Sequence, residues 1–302
     1  MMRAGIGRAS DLPEPARVML TPRPPQSLVR RVRRIVGPGG VVTFCFLTVI
    51  AFLTVFPQAV ARHDPIEVVP ERILTPPDTD FLFGTDQYGR DIFSRVIYGA
   101  RTTLGFAMLA TGISVGLSTA AGMASGFHGG RLDSVFMRGI DVLMAFPGIL
   151  LALIVVALLG PGMSTAMVAV GFGQAPAFSR IVRGATLVVK SQQYIEAARA
   201  MGARDVWIVR AHVLPNVRYT VLVLATLGFG ASILIGSSLS FLGLGAQPPT
   251  PEWGSMLGDA RGYVRTHWWV PTLPGLVLAA TLLCINLVGD QIRDLLDPRL
   301  KL

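Results

Sequence analysis

The chain has 302 residues, of which 51% are hydrophobic and only 15% charged, and its mean hydropathy of +0.55 excludes a soluble domain of this length. Its 27 Lys and Arg outnumber 18 Asp and Glu for a formal net charge of +9, yet no basic patch is interleaved with aromatics, so no nucleic acid is expected as a partner. Cys45 and Cys284, the scattered His63, His128, His212 and His267, and the lack of a Gly-rich loop ending in Gly-Lys-Ser/Thr point to no disulfide framework, no metal site and no ATP held by this chain.

The first forty residues are rich in Pro and Arg, lack apolar periodicity and end in Arg30-Arg31-Val32-Arg33-Arg34. They read as a flexible basic cytoplasmic tail, 1–40, drawn electrostatically to the inner leaflet. A signal peptide is the alternative, because Ala59-Val60-Ala61 fits a cleavage site. Its basic leader is unusually long, and its removal would leave five spans.

Five stretches lack Asp, Glu, Lys and Arg: 35–61, 102–130, 142–179, 219–251 and 266–289. A helical span needs roughly 20 apolar residues. Four stretches hold one helix each, and 142–179 holds two, divided at Gly160-Pro161-Gly162. The predicted fold is an all-α integral membrane protein with six transmembrane helices at about 41–60, 102–126, 139–159, 163–188, 217–245 and 270–290, within a permease domain 41–302. With the N-terminus inside, the inner segments carry 20 of the 27 basic residues, while the loop 61–101 has five Arg against seven acidic residues. That bias places both termini in the cytoplasm.

Asp86, Arg90, Asp91 and Arg95 are four or five apart, a spacing that on a helix gives an ion-pair ladder framing the second span. Gly112, Gly116 and Ala120 form a small-residue line suited to close helix packing on that span. Pro147, Pro176 and Pro274 are expected to bend the third, fourth and sixth spans. Gln174 and Asn286 are the main amides within spans, more suited to bonding neighbouring helices than to lining a path.

A polar island then interrupts the apolar runs: Tyr194-Ile195-Glu196-Ala197-Ala198-Arg199-Ala200-Met201-Gly202, closing at Leu214-Pro215-Asn216. Ser191 can cap a short helix holding Glu196, Ala197 and Ala198, and Gly202 can end it with a chain reversal. Val206-Trp207-Ile208-Val209 leads back to the membrane, where Pro215 fits the first turn of the next span. The segment 191–215 is thus a surface hairpin, with small Ala side chains to enter a partner's groove and Glu196 to meet a partner's cation. Further on, Pro248-Pro249 and Trp253 suggest a rigid outer loop with an interfacial aromatic anchor, or a surface for an external protein. Asp290 and Arg293 can pair at i, i+3 where the last helix leaves the membrane.

This island resembles the Glu-Ala-Ala motif of permease subunits in ATP-binding cassette (ABC) importers: Glu196, Ala197, Ala198, Gly202, Leu214 and Pro215 all match. His212 stands where the general pattern has isoleucine, as is common in the peptide/nickel branch. Three other stretches resemble the second, C-type permease of that oligopeptide/dipeptide branch: Phe83-Gly84-Thr85-Asp86-Gln87-Tyr88-Gly89-Arg90-Asp91, Phe241-Leu242-Gly243-Leu244-Gly245 continuing to Trp253-Gly254, and Asn286-Leu287-Val288-Gly289-Asp290 with Asp297-Pro298-Arg299. The resemblance implies a type I importer permease and no enzyme activity in the chain. It also implies a homologous second permease, two cytoplasmic ATP-binding subunits that hydrolyse the ATP, and an extracytoplasmic substrate-binding protein. The ATPase-coupling residues are then Glu196, Ala197, Ala198, Gly202, Leu214 and Pro215. Peptides are the implied cargo, with nickel chelates or haem-like ligands as alternatives.

Two other classes compete. An ion-coupled secondary transporter places ionisable groups near the bilayer midplane, and the span centres here hold none. A membrane enzyme needs a paired Asp, a Ser-His set or a metal-ligand set, and the spans contain none of these.

Overall fold

The computed structural model describes residues 38–296. The described part of the basic tail is limited to its last three residues, so the tail and Asp297-Pro298-Arg299 lie outside it. Contacts gather Val42–Leu296 into one compact unit, and it is this unit that is described below.

In chain order the helices are α1 (Pro38–Val55), α2 (Ile92–His128), α3 (Gly130–Met144), α4 (Gly148–Leu159), α5 (Met163–Lys190), α6 (Gln193–Ala200), α7 (Asp205–Ile208), α8 (Leu214–Phe241), α9 (Trp253–Ala260) and α10 (Trp269–Leu296), and a π-helical turn, Val209–Val213, fuses α7 to α8. Among the described residues three helices are long and apolar enough to cross a membrane: Ile92–His128, Asp205–Phe241 and Trp269–Arg293. A fourth crossing results if α3 and α4 are one span bent by 91°. The first apolar helix is shorter, and α5 carries Arg180, Arg183 and Lys190 in its last turns.

α2 is the spine. Its 37 residues span roughly 55 Å at about 1.5 Å per residue, against about 30 Å of hydrocarbon, so it projects well beyond a bilayer. Asp91 starts it, its carboxylate accepting from the N–H groups of Phe93 (3.2 Å) and Ser94 (3.1 Å). Gly129 and Gly130, at φ +71° and +62°, turn the chain directly into α3. Three apolar clusters line up along α2: Ile92, Val96 and Ala100 with Trp253 and Trp269 at one end, Phe106 and Ala110 with Val156, Val170 and Leu239 in the middle, and Phe127 with Val182, Ile195 and Ile208 at the other.

The small-residue line that packs is not the expected one. A Cβ on Gly122 would meet the Ser179 carbonyl at 2.6 Å, and one on Gly126 would meet Thr186 Cβ at 2.9 Å. The α2–α5 seam therefore runs through Ala110, Ser114, Ser118, Gly122 and Gly126, all buried. Gly112, Gly116 and Ala120 lie on an exposed face, with nothing near the two glycines. Pro147 stands at the 91° α3–α4 bend, whereas Pro176 and Pro274 sit inside unbroken helices.

The loop before α2 also departs from a ladder. Asp86 and Arg90 pair at 2.7 Å in a turn that precedes the helix, and Arg95 reaches back to Asp86 at 3.7 Å. Arg95 also donates to the carbonyls of Pro65 (2.9 Å) and Pro249 (3.3 Å). Asp91 is spent on the cap and on His63, 3.3 Å away. Trp253 is completely buried rather than interfacial: its ring N–H donates to the Val96 carbonyl at 2.9 Å. Beside it Glu252, buried, accepts from Gly254 N–H, Ser255 N–H and the Thr103 hydroxyl at 2.8–3.0 Å. Asp290 and Arg293 are both exposed and make no ion pair among the described residues.

Candidate functional site

The segment 191–215 folds as α6, a tight reversal and α7. Ser191 does not cap α6. Because α5 continues through Lys190, Ser191 closes that helix instead, its hydroxyl donating to the Val188 carbonyl at 3.0 Å. The N-cap of α6 is Gln192, whose side chain makes no capping bond.

The reversal is a complete Schellman motif. Gly202 N–H donates to the Arg199 carbonyl at 2.9 Å and Ala203 N–H to the Ala198 carbonyl at 3.1 Å, which satisfies two carbonyls that the helix end leaves free. Gly202 holds φ +81° and, among the described residues, no atom lies within 4 Å of a Cβ added there. Backbone conformation alone, not crowding, demands glycine. Across the turn Arg199 lies 3.6 Å from Asp205 and over the Phe127 ring at 5.2 Å.

The faces of α6 divide cleanly. Ile195 and Ala198 are buried in the cluster with Phe127, Val182, Ile208, Val213 and Val217, so Ala198 gives its close fit to this chain's own core. Glu196 and Ala197 face outward. Glu196 has no hydrogen-bond or ion-pair partner among the described residues. On the same hairpin Tyr194, Trp207, Val206 and Met201 are also exposed, the last two at 73% and 82%. Exposed apolar side chains and an unpaired carboxylate on one hairpin are the composition of a contact surface.

His212 locks the hairpin, packing against Tyr194 (5.7 Å) and edge-on to Trp207 (5.0 Å). Pro215 occupies the first turn of α8. The π turn before it accommodates a residue with no N–H to donate, and the Asn216 side chain donates to the His212 carbonyl at 2.6 Å. Leu214 is partly exposed where the hairpin joins α8. α7, the π turn and α8 form one continuous 37-residue rod.

Two ion pairs stand nearby, which sequence spacing did not reveal. Arg183 on α5 grips Asp133 on α3, and Arg180 pairs with Asp141. Farther along, Gln174 on α5 donates to the Ser232 hydroxyl of α8 at 2.8 Å, and Ser232 meets Thr111 of α2 at 3.0 Å. This three-helix knot matches the helix-bonding role expected of Gln174. Asn286 is exposed. Among the described residues no group of three or more His, Cys, Asp or Glu is placed to hold a metal.

A family model described as "binding-protein-dependent transport system inner membrane component" matches residues 112–302. The chain is 41% identical to the di/tripeptide transport system permease protein DppC of Pseudomonas aeruginosa, over 87% of this chain and 89% of that protein. It is 43% identical to the glutathione transport system permease protein GsiD of Escherichia coli, over 85% of each. Among solved structures, the MetNI methionine ABC transporter in an inward-facing conformation shares the fold at a TM-score of 0.56 and 21% identity, covering 68% of this chain and 98% of that one.

Proposed function

The chain belongs to the family of binding-protein-dependent transport system inner membrane components and is the permease subunit of an ABC importer, and from that premise we propose that its cargo is short peptides and that residues 191–215 couple it to ATPase subunits. The cargo assignment rests on relatives named for di/tripeptide and glutathione transport. Glutathione is itself a tripeptide, so one cargo class accommodates both names.

The observation that carries the coupling role is the two-faced α6. Glu196 and Ala197 are free to meet a partner while Ile195 and Ala198 are embedded against α2, α5 and the α8 rod. Closure of two cytoplasmic ATPase subunits, which bind and hydrolyse the ATP, pushes on the outer face. The embedded face passes that displacement to the spans, and the cavity changes the side to which it opens. Glu196 supplies the charged contact, Ala197 a flat approach, and Gly202 the turn. Ala198, Leu214 and Pro215 hold the segment to the spans.

In this account the chain pairs with a homologous permease, receives cargo from an extracytoplasmic binding protein, and crosses the membrane six times with both termini inside. The span near 41–60 is α1, the bent α3–α4 pair is one crossing, and the basic segment 1–40 lies at the inner leaflet. The test is peptide uptake by the assembled complex in liposomes with ATP inside. Binding-protein-dependent uptake in wild type, with ATPase activity that no longer responds to binding protein in Glu196→Lys, supports the account. Undiminished stimulation in that variant contradicts it.

A further inference from the structure

A cavity of about 430 Å³ opens beside the α3–α4 bend, lined by Phe146, Gly148, Gln174, Pro176, Phe178 and Ala231 among others. That volume lies within the ~300–1,000 Å³ typical of small-ligand sites. It sits about halfway along α5 and α8, at the depth of the bilayer midplane if both helices span. Its lining is apolar apart from one group. Gln174 is buried, its amide N–H donates to Ser232, and its Oε1, itself sealed from solvent, has no hydrogen-bond partner among the described residues.

That oxygen is not a hydroxyl that can rotate toward a neighbouring carbonyl. With the amide N–H on Ser232, the carbonyl oxygen is left without a donor in an apolar interior, which is costly. A polar group held in such a state beside a cavity is suited to a ligand that brings the missing donor. Beside the cavity the backbones of Gly148 and Gly173 approach so closely that a Cβ on Gly173 would lie 2.6 Å from the Gly148 carbonyl, next to a 91° bend. On the α8 side, Gly228 leaves room for the Phe178 ring, 2.9 Å from where its Cβ would be. Rotation of that ring is the simplest way to open the sealed Oε1 to the cavity.

We propose that this cavity is an intramembrane subsite for the cargo, in which Gln174 Oε1 accepts a hydrogen bond from a backbone N–H of the passing peptide. The inference rests on the peptide-import reading above. It assigns Gln174 a recognition role in addition to its bond to Ser232, and it explains how a path without charged groups recognises peptides: by the N–H that every peptide bond between ordinary residues carries, whatever the side chains.

The test uses the complete importer in liposomes and compares uptake of dialanine with its analogue N-methylated at the peptide bond. The binding protein's own preference is common to every permease variant, so the change between variants isolates Gln174. Gln174→Leu is expected to reduce discrimination against the methylated peptide about tenfold, through loss of dialanine uptake. Equal discrimination in wild type and a transporting Gln174→Leu overturns the proposal. Should that variant fail to assemble, Ala177→Cys in a Cys45→Ser, Cys284→Ala background decides: a charged thiol reagent is expected to label it, and dialanine to slow the labelling during turnover. No labelling in any nucleotide state places the cavity outside the path and overturns the proposal. A wild-type complex that imports no peptide brings down the cargo reading and this inference with it, an outcome distinct from failure at Gln174 alone.

Discussion

Arg183 holds Asp133 with two parallel donors, its Nε and Nη2 each 2.6 Å from a different carboxylate oxygen. The Ser125 hydroxyl also donates to Asp133, so one carboxylate ties together α2, α3 and α5. Bidentate geometry and partial burial, 15% exposure at the acid and 29% at the base, lift this pair above ordinary surface bridges. Asp133→Asn is expected to cost about 1–3 kcal/mol and to lower the thermal midpoint in detergent. A double-mutant cycle with Arg183→Lys should show strong coupling, and additivity of the two substitutions would argue against the strut.

Gly202 is predicted to be replaceable in order of tolerance for positive φ. Gly202→Asn should retain most uptake, whereas Gly202→Val, a β-branched residue at φ +81°, incurs roughly 1–2 kcal/mol of backbone strain and distorts the reversal. Since no neighbour crowds the site, membrane insertion should persist while uptake and ATPase activity separate. Normal import by Gly202→Val would remove the coupling role assigned to it.

Glu252 caps α9 by accepting from the Gly254 and Ser255 N–H groups and ties that cap to α2 through the Thr103 hydroxyl. Loss of the cap in Glu252→Ala, together with a stranded Thr103 hydroxyl, is expected to destabilise by about 2 kcal/mol or more, read as a lower melting midpoint. Glu252→Gln keeps an acceptor and should fall between the two. A midpoint unchanged in the alanine variant would contradict this.

Burial pushes the carboxyl of Asp259 above the usual aspartate range, with Arg90 and Arg95 pulling it partly back. The folded state therefore holds this proton more tightly than the unfolded chain. Its contribution to stability is full below the ordinary aspartate value and is lost as pH rises through the raised one. Asp259→Asn should remove that slope and be no less stable than wild type at neutral pH. A melting profile in which wild type gains on the variant as pH rises would reverse the assigned sign.

Much of the architecture is legible in the charge-free stretches, because apolar runs and helices coincide wherever α2, α8 and α10 lie. Gly202 was also legible, since a glycine after Ala-Arg-Ala-Met has few roles other than ending a helix. What escaped depends on facing. The second apolar run carries small residues along two parallel lines, and only packing shows that Gly122 and Gly126, not Gly112 and Gly116, face α5. Trp253 looked like an interfacial anchor because its loop is polar on either side, but the Val96 carbonyl accepts its ring N–H from 157 residues away in sequence. Arg95 is similar: local spacing suggested a ladder, while its partners include Pro249, 154 residues on. Ser191 failed as a cap because α5 runs further than its apolar stretch. Ala198 is close-fitting as expected, but toward its own core.

Co-purification of the tagged chain, expressed with its partners in mild detergent, tests the central claim most directly. Wild type should bring down ATPase subunits and Glu196→Lys should lose them while retaining the second permease, because Glu196 faces outward and α6 stays anchored through Ile195 and Ala198. Equal recovery of ATPase with both chains, or none with wild type across several detergents, would contradict the assignment of residues 191–215 as the coupling segment.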